Sequence, residues 1–128
     1  MKEAISAPAA PAAVGPYSPA IQSGEWLFVS GQIGLSPEGV LVSSKVSEQA
    51  ERCLDNLGLL LKAAGFDFSD VVKTTIFLVD LTHFAQVNEI YARRFQPPFP
   101  ARSTIQVAAL PKGALIEIEA LARQDPVR

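Results

Sequence analysis

The feature that most constrains the fold of this chain is one strongly amphipathic segment, residues 46–64. Apolar residues recur in it at intervals of three and four, and most of its charged residues fall on the other side. This spacing predicts a helix that buries one face. Ser43 or Ser44 is expected to cap its start, and Gly65 stands where a glycine commonly ends a helix. The rest of the chain must therefore supply an apolar surface for this helix.

The segments on either side of this helix have the composition of β-strands. Residues 71–79 are β-branched and almost continuously apolar, which is typical of a central strand. A second helix is expected from Thr82 to about Phe95, because Pro97-Pro98 stops it. Alternation and turn residues predict the other strands: a hairpin of residues 20–22 and 26–30, a short strand near residues 40–42, and residues 102–107 and 115–123, joined through Leu110-Pro111-Lys112-Gly113.

These elements predict an α+β fold in the order β-β-β-α-β-α-β-β, with a mixed sheet and two helices on one face. The chain has 128 residues and shows no linker or internal repeat, so a single domain over residues 1–128 is expected. Ala, Pro and Ser dominate residues 1–19, and this composition favours an extended, turn-containing segment. Residues 1–14 are accordingly expected to form an extended N-terminal arm.

Composition and charge argue against several classes of function. The net charge is −2, and Arg93-Arg94 is the nearest approach to a basic patch, so no nucleic-acid partner is expected. A single cysteine, Cys53, excludes an intramolecular disulfide and a multi-cysteine metal site. The chain contains no signal peptide and no apolar run of membrane-spanning length, which predicts a cytoplasmic protein without a membrane partner. It also lacks Gly-rich phosphate loops, metal motifs and Ser-His-Asp arrangements.

Two charged residues on the last two predicted strands are candidates for chemistry. Arg102 starts a strand after Phe99-Pro100-Ala101, where its forked guanidinium is suited to hold a carboxylate. An ordinary surface arginine is an equally good interpretation of that position. Glu117 alternates with apolar residues, and burial there would raise the pKa of a general acid or base. A solvated outer strand face is the commoner explanation of that pattern.

The predicted hairpin separates these two residues. With its turn near Lys112 and Gly113, six residues of strand lie between the positions of Arg102 and Glu117, on the order of 20 Å within one chain. A small ligand that contacts both would need one of them from another subunit.

Four further residues are candidates for lining a binding site. Gly31 follows Ser30 at the end of a strand and leaves its backbone amide open to a ligand, although a simple strand-ending turn explains it as well. Asn88 lies on the apolar face of the second predicted helix, where it needs hydrogen-bond partners if buried. Tyr17 stands in a stiff Gly-Pro segment, where its ring can cover a pocket or pack the arm against the domain.

Several motifs occur in one order between Pro11 and Ala122, and together they resemble the RidA/YjgF family, also labelled as L-PSP endoribonucleases. The pairing of Pro100-Ala101-Arg102 with the closing Glu-Ile-Glu-Ala block is the most specific part of the resemblance. The motifs are Gly15-Pro16-Tyr17-Ser18-Pro19-Ala20, Phe28-Val29-Ser30-Gly31-Gln32, Gln49-Ala50 with Leu54-Asp55-Asn56-Leu57, Val72-Lys73-Thr74-Thr75 with Leu78-Val79-Asp80-Leu81, Phe84-Ala85-Gln86-Val87-Asn88, Phe99-Pro100-Ala101-Arg102-Ser103, Leu110-Pro111-Lys112-Gly113 and Ile116-Glu117-Ile118-Glu119-Ala120.

The resemblance implies a chorismate-mutase-like fold and a homotrimer with an active site in each cleft between subunits. It also implies an enzyme, a hydrolytic deaminase of the reactive intermediates 2-iminobutanoate and 2-iminopropanoate that produces 2-oxo acids and ammonia. Such an enzyme removes metabolites that damage other enzymes, and the family uses no cofactor or metal. The preferred imine, and the subunit that supplies each site residue, do not follow from the sequence.

The resemblance further implies roles for individual residues. Arg102 matches the arginine that holds the substrate carboxylate, and Glu117 matches the glutamate that positions and activates water. Thr104 stands where some members have a cysteine, and its backbone groups remain available to the ligand or water. The residues that match the lining of the family's pocket are Tyr17, Ser30, Gly31 and Asn88.

Two other functions remain open at this point. One is a non-catalytic module that binds 2-oxo acids and regulates a partner. The other, an endoribonuclease or translation inhibitor, is disfavoured by the acidic balance of the chain.

Overall fold

Six strands and two helices build the part of the chain that the computed structural model describes, residues 1–125. The helices are α1 (Val46–Ala63) and α2 (Phe84–Ala92). The sheet has the order β1-β2-β3-β6-β4-β5 and is antiparallel except between β4 and β5, so it is a mixed sheet as predicted. The strands are β1 (Lys2–Ile5), β2 (Ala20–Ser23), β3 (Trp26–Ile33), β4 (Val71–Leu78), β5 (Ala101–Gln106) and β6 (Ile116–Arg123).

Both helices pack on one face of the sheet, which confirms that prediction. Helix α1 contacts β3, β6 and α2, and its fully buried Leu57 and Leu61 belong to the same core as Ile116 and Ile118 of β6. Burial alternates along β6, because every second side chain points toward the helices. The side chains between them point to the opposite face, called the open face below.

The predicted helix over residues 46–64 is confirmed, but its N-terminal cap is not. Lys45 occupies the N-cap position without a side-chain hydrogen bond, and the Ser43 hydroxyl instead accepts from the Lys45 amide at 3.0 Å. At the other end Gly65 has φ +80°, the left-handed conformation in which a glycine ends a helix without strain. The second helix is shorter than predicted, since it begins at Phe84 and ends at Ala92.

The prediction of a third strand near residues 40–42 is wrong. Leu41 forms an isolated bridge with Leu35, and the exposed Val40 and Val42 flank it. The strand that completes the predicted order is β1, which pairs antiparallel with β2 from within the N-terminal arm. The prolines that favoured an arm without a strand begin only at Pro8, so residues 2–5 remain free to form an edge strand.

The predicted hairpin of the last two strands is also wrong. Strand β5 runs parallel to β4, to which α2 connects it, whereas β6 inserts antiparallel between β3 and β4. Parallel neighbours need a crossover connection, and α2 is that crossover. Strand β4 is thereby paired on both sides, as its apolar composition predicted, although it lies second from the edge of the sheet. None of the helices within residues 1–125 is long and apolar enough to cross a membrane.

Candidate active site

Glu117 lies on the open face of the sheet, as the second residue of β6. Its neighbours across the sheet are Ile33 of β3 and Phe77 of β4, and its side chain is half-buried between them. Burial raises the pKa of the Glu117 carboxyl above its usual range, and the nearby Glu119 carboxylate raises it further. A carboxyl with a raised pKa is suited to take up and return a proton near neutral pH.

A bulge in β3 brings the backbone close to this carboxyl. The register passes from Val29 opposite Ala120 to Gln32 opposite Ile118, so Ser30 and Gly31 together oppose a single residue of β6. A Cβ atom at Gly31 would lie 2.1 Å from the Glu117 Oε2 atom. The Glu117 carboxyl therefore occupies the space that a side chain at position 31 would need, and any residue larger than glycine would displace it.

The N-terminal arm covers a cavity beside Glu117. The cavity measures about 110 Å³ and is lined by Tyr17, Gly31 and Glu117, by arm residues 11–14 and by Lys112. Ser30 fastens the segment that joins the arm to β2, because its hydroxyl donates to the Ser18 carbonyl at 2.6 Å and its amide donates to the Pro19 carbonyl at 2.9 Å. Three of the predicted site residues thus line one cavity: Tyr17, Gly31 and Glu117. Ser30 holds in place the segment that follows Tyr17. This cavity is called the glutamate cavity below.

Arg102 lies on the other face of the sheet. Its neighbour across the parallel pair is Thr74, whose side chain is buried on the helix side. The Arg102 guanidinium carbon lies 4.9 Å from the centre of the Tyr91 ring and 5.5 Å from that of Phe84, both on α2. None of the ion pairs among residues 1–125 involves Arg102. The guanidinium therefore contacts two aromatic rings, and its N–H groups remain available to an anion.

A shallow groove surrounds Arg102, and it is called the arginine groove below. It is lined by Arg102 with Asn88, Tyr91, Ala92, Phe99 and Pro100. Asn88 lies one helical turn from both Phe84 and Tyr91, so α2 presents all three toward the start of β5. Thr104 points to the same side as Arg102, since its strand neighbour is the buried Ile76, but it does not line this groove.

Within one chain the arginine groove and the glutamate cavity do not meet. Arg102 and Glu117 are two strands apart with β4 between them, and their β4 neighbours, Thr74 and Phe77, point to opposite faces. The register places them roughly 10 Å apart along the strands and roughly 10 Å across them. The sequence analysis inferred from a hairpin that two subunits are needed. The hairpin was wrong, but the observed sheet also keeps the two residues apart. A small ligand that contacts both residues needs a second copy of the chain.

Three contributors to the site were not recognised from the sequence. Phe84 and Tyr91 fall within the second predicted helix and were given no role in the site, whereas both rings lie against the Arg102 guanidinium. Their spacing with Asn88, at positions i, i+4 and i+7, was the available signal, since it puts one polar and two aromatic side chains on one helix face. Lys112 was assigned to a turn, but it also lines the glutamate cavity and donates to the Gly39 carbonyl at 2.8 Å.

Cys53 is a packing residue in this structure. Its side chain is fully buried, and its thiol lies 3.8 Å from the Ile116 carbonyl. Burial, and secondarily the charge of Glu117, raises the pKa of the Cys53 thiol, which keeps it protonated and unreactive. Among residues 1–125 there is also no group of three or more His, Cys, Asp or Glu side chains that could hold a metal ion.

Comparison with known proteins agrees with this architecture. The family model described as Endoribonuclease L-PSP matches residues 7–124. A mouse protein named 2-iminobutanoate/2-iminopropanoate deaminase is 53% identical over 98% of this chain and 94% of its own length. Reactive Intermediate Deaminase A, chloroplastic, from Arabidopsis thaliana is 57% identical over 94% of this chain and 65% of its own length. A solved structure of the conserved Rid protein family, from Yersinia pestis, matches with a TM-score of 0.93 and 45% identity over 97% of this chain and 100% of that chain.

Proposed function

This chain belongs to the endoribonuclease L-PSP family, the RidA/YjgF family that its motifs resemble, and from that premise we propose that it is a hydrolytic deaminase of 2-iminobutanoate and 2-iminopropanoate. The observation that carries this proposal is the 53% identity, over nearly the whole of both chains, to the mouse protein named for that activity. The two-part site fits the reaction, because a small imino acid carries one carboxylate and one carbon that water must attack.

Two chemical groups suffice for this hydrolysis. The Arg102 guanidinium holds the substrate carboxylate with a pair of parallel hydrogen bonds, which fixes the imine carbon in place. The Glu117 carboxylate takes a proton from the water as the water oxygen bonds to that carbon, and it passes this proton to the imine nitrogen. The resulting carbinolamine then loses ammonia: Glu117 transfers the hydroxyl proton to the amine nitrogen as the C–N bond breaks and the C=O bond of the 2-oxo acid forms. Water and imine are the sole reactants in this balance.

The site is completed between subunits of a homotrimer. The arginine groove of one copy faces the glutamate cavity of the next, in a ring whose contacts are all alike. Two observations support this arrangement. The two half-sites lie on opposite faces within one chain, and the open face carries exposed aromatic side chains, Trp26 and Phe28, of the kind that subunit contacts cover.

The other site residues have supporting roles in this scheme. Tyr17 and Gly31 shape the space around the Glu117 carboxyl, while Asn88 lies beside the substrate carboxylate in the arginine groove. Ser30 acts on the arm rather than on the substrate. A backbone contribution from Thr104 rests on the family resemblance, because Thr104 does not line the arginine groove.

A coupled assay tests the proposal. Threonine dehydratase generates the imine in solution, and the release of 2-oxobutanoate is followed with the parent, with Arg102→Ala, with Glu117→Gln and with no added protein. We expect the parent alone to accelerate release. A folded parent that binds 2-oxobutanoate but accelerates nothing would instead support a binding module for 2-oxo acids.

A further inference from the structure

We propose that Tyr91, held in place by Thr74, is a positioning residue that orients the Arg102 guanidinium and thereby sets the affinity for the substrate carboxylate. This inference rests on the proposed function of Arg102 and extends it to two residues that do not contact the substrate's reacting atoms. The observation behind it is the arrangement of the Thr74, Tyr91 and Arg102 side chains.

The three residues form a closed triangle on the helix side of the sheet. Thr74 and Arg102 are direct neighbours across β4 and β5, so their side chains rise next to each other from the sheet. The Tyr91 hydroxyl reaches down from α2 to the Thr74 hydroxyl at 2.7 Å. The Tyr91 ring, in turn, lies 4.9 Å from the guanidinium carbon of Arg102. The hydrogen bond therefore joins the ring to the strand position adjacent to the arginine.

The Tyr91 ring is held by more than this hydrogen bond. Phe95 stacks on it, with ring centres 4.4 Å apart, and Phe68 meets Phe95 edge to face. Tyr91 and Thr74 are both buried, so their hydroxyls have little access to water as an alternative partner. Burial also raises the pKa of Tyr91, which leaves the phenol protonated and able to share a hydrogen bond with Thr74 at neutral pH.

The arrangement matters because no carboxylate among residues 1–125 pairs with Arg102. An arginine side chain has several rotatable bonds, and a ligand that must order them binds more weakly. A fixed aromatic ring attracts the guanidinium and restricts its orientation without using the N–H groups that the substrate needs. Phe84 adds a second ring at 5.5 Å, but it is more exposed and has no hydroxyl to fix it.

The experiment measures binding of two ligands of the same size that differ in one group, the carboxylate of 2-oxobutanoate and the neutral amide of 2-oxobutanamide. Titration calorimetry is carried out with the parent, Tyr91→Phe, Thr74→Val and Thr74→Ser, and thermal unfolding establishes that each variant is folded. Tyr91→Phe and Thr74→Val each remove one hydroxyl of the pair, whereas Thr74→Ser keeps it and is the matched control. Arg102→Ala defines the preference for acid over amide that remains without the guanidinium.

We expect Tyr91→Phe and Thr74→Val to weaken 2-oxobutanoate binding by about three- to tenfold, the range expected for a weakened cation–ring contact. Binding of the amide should not change, and Thr74→Ser should behave like the parent. The double variant should be no weaker than either single variant, because both changes break the same hydrogen bond. In the coupled assay the KM should rise in both single variants while kcat stays the same.

Several results would overturn the inference. If acid and amide lost affinity equally, Tyr91 and Thr74 would have only a structural role. If the hydroxyl variants bound the acid as the parent does, or if the parent showed no preference for the acid, the triangle would have no role in recognition. Failure of the proposed function looks different, because a parent without deaminase activity can still show an acid preference that depends on Thr74.

Discussion

The arginine groove and the glutamate cavity are built on the same sheet by different means. The arginine groove is formed by regular elements, because α2 supplies the aromatic rings that contact the guanidinium and β5 supplies the arginine. The glutamate cavity depends on irregular ones, a strand bulge at Gly31 and a covering arm that Ser30 fastens. A guanidinium carries its charge at every physiological pH and needs only orientation. A carboxyl that exchanges protons needs a tuned environment, which partial burial and close backbone contact provide.

The comparison also separates binding from chemistry. The proposed role of the arginine groove is to bind a carboxylate, and none of the residues that line it is a carboxyl or an imidazole that could act as a general base. The glutamate cavity contains a carboxyl with a raised pKa, whereas the Lys112 ammonium that lines it already donates to the Gly39 carbonyl. The proposed reaction needs both half-sites. The contribution of each can therefore be tested in a variant that inactivates the other.

The largest expected effect comes from inactivating each half separately and then mixing the two variants. Arg102→Ala and Glu117→Gln should each lower activity by about 10²- to 10⁴-fold. If the site lies between subunits, co-refolding the two inactive variants in equal amounts should restore about a quarter of the parent activity, since sites with an intact arginine and an intact glutamate re-form at random. The coupled assay measures this recovery, with each variant refolded alone as the control. No recovery in mixed oligomers would place both residues in one subunit's site.

A smaller expected effect tests the contact between Gly31 and Glu117. In Gly31→Ala the added Cβ meets the movable end of the Glu117 side chain, so the carboxyl should shift while the fold persists. A displacement of about 1 Å commonly lowers kcat by about 10²-fold. Gly34→Ala is the contrasting control, because its Cβ would lie 2.8 Å from the Gln49 backbone and should lower the unfolding temperature instead. Parent-like kcat in a folded Gly31→Ala protein would contradict the proposed role of the carboxyl position.

The next prediction concerns the arginine groove. Arg102→Lys keeps the charge but loses the planar fork that matches a carboxylate, so kcat/KM should fall by about 10- to 100-fold. Binding of 2-oxobutanoate should weaken to a similar extent, whereas the thermal unfolding of the protein should be unchanged. If the lysine variant were as active as the parent, a simple positive charge would suffice, and the orientation attributed to the aromatic rings would be unnecessary.

The smallest predicted effect is a pH-dependent change in stability at Glu117. Folding raises the pKa of this carboxyl above its ordinary value of 4.5, so the folded chain binds more protons than the unfolded chain between the two values. The free energy of unfolding contributed by Glu117 is therefore greatest below pH 4.5 and decreases as pH rises through the folded pKa. Glu117→Gln removes this loss, and the variant should unfold at a slightly higher temperature than the parent at pH 8.

Thermal unfolding at pH 4 and at pH 8 checks this sign. The difference between Glu117→Gln and the parent should shrink toward zero at the acidic pH, where the parent carboxyl is protonated in both states. A variant that is less stable than the parent at pH 8 would show that the ionised carboxyl is stabilised in the fold rather than penalised.

Much of the fold and part of the site were predictable from local patterns. Helix α1 and strands β2, β3, β4, β5 and β6 were recognised from periodicity and turn residues, and the motifs pointed to the residues that line both half-sites. The errors in strand assignment have one cause. Strand β1 was missed, and a strand near residues 40–42 was wrongly predicted. Whether a short segment becomes a strand depends on a pairing partner, and the segment's own residues do not identify that partner.

Local sequence patterns were enough to establish which residues prefer helix or strand and which side chains share a face of each element, because both follow from periods of a few residues. Tertiary structure alone decided that β6 lies between β3 and β4 and that a bulge sets Gly31 against Glu117. It also decided that Arg102 and Glu117 lie on opposite faces. These properties depend on strand order and register, which are set when distant segments pack together and bury a common core.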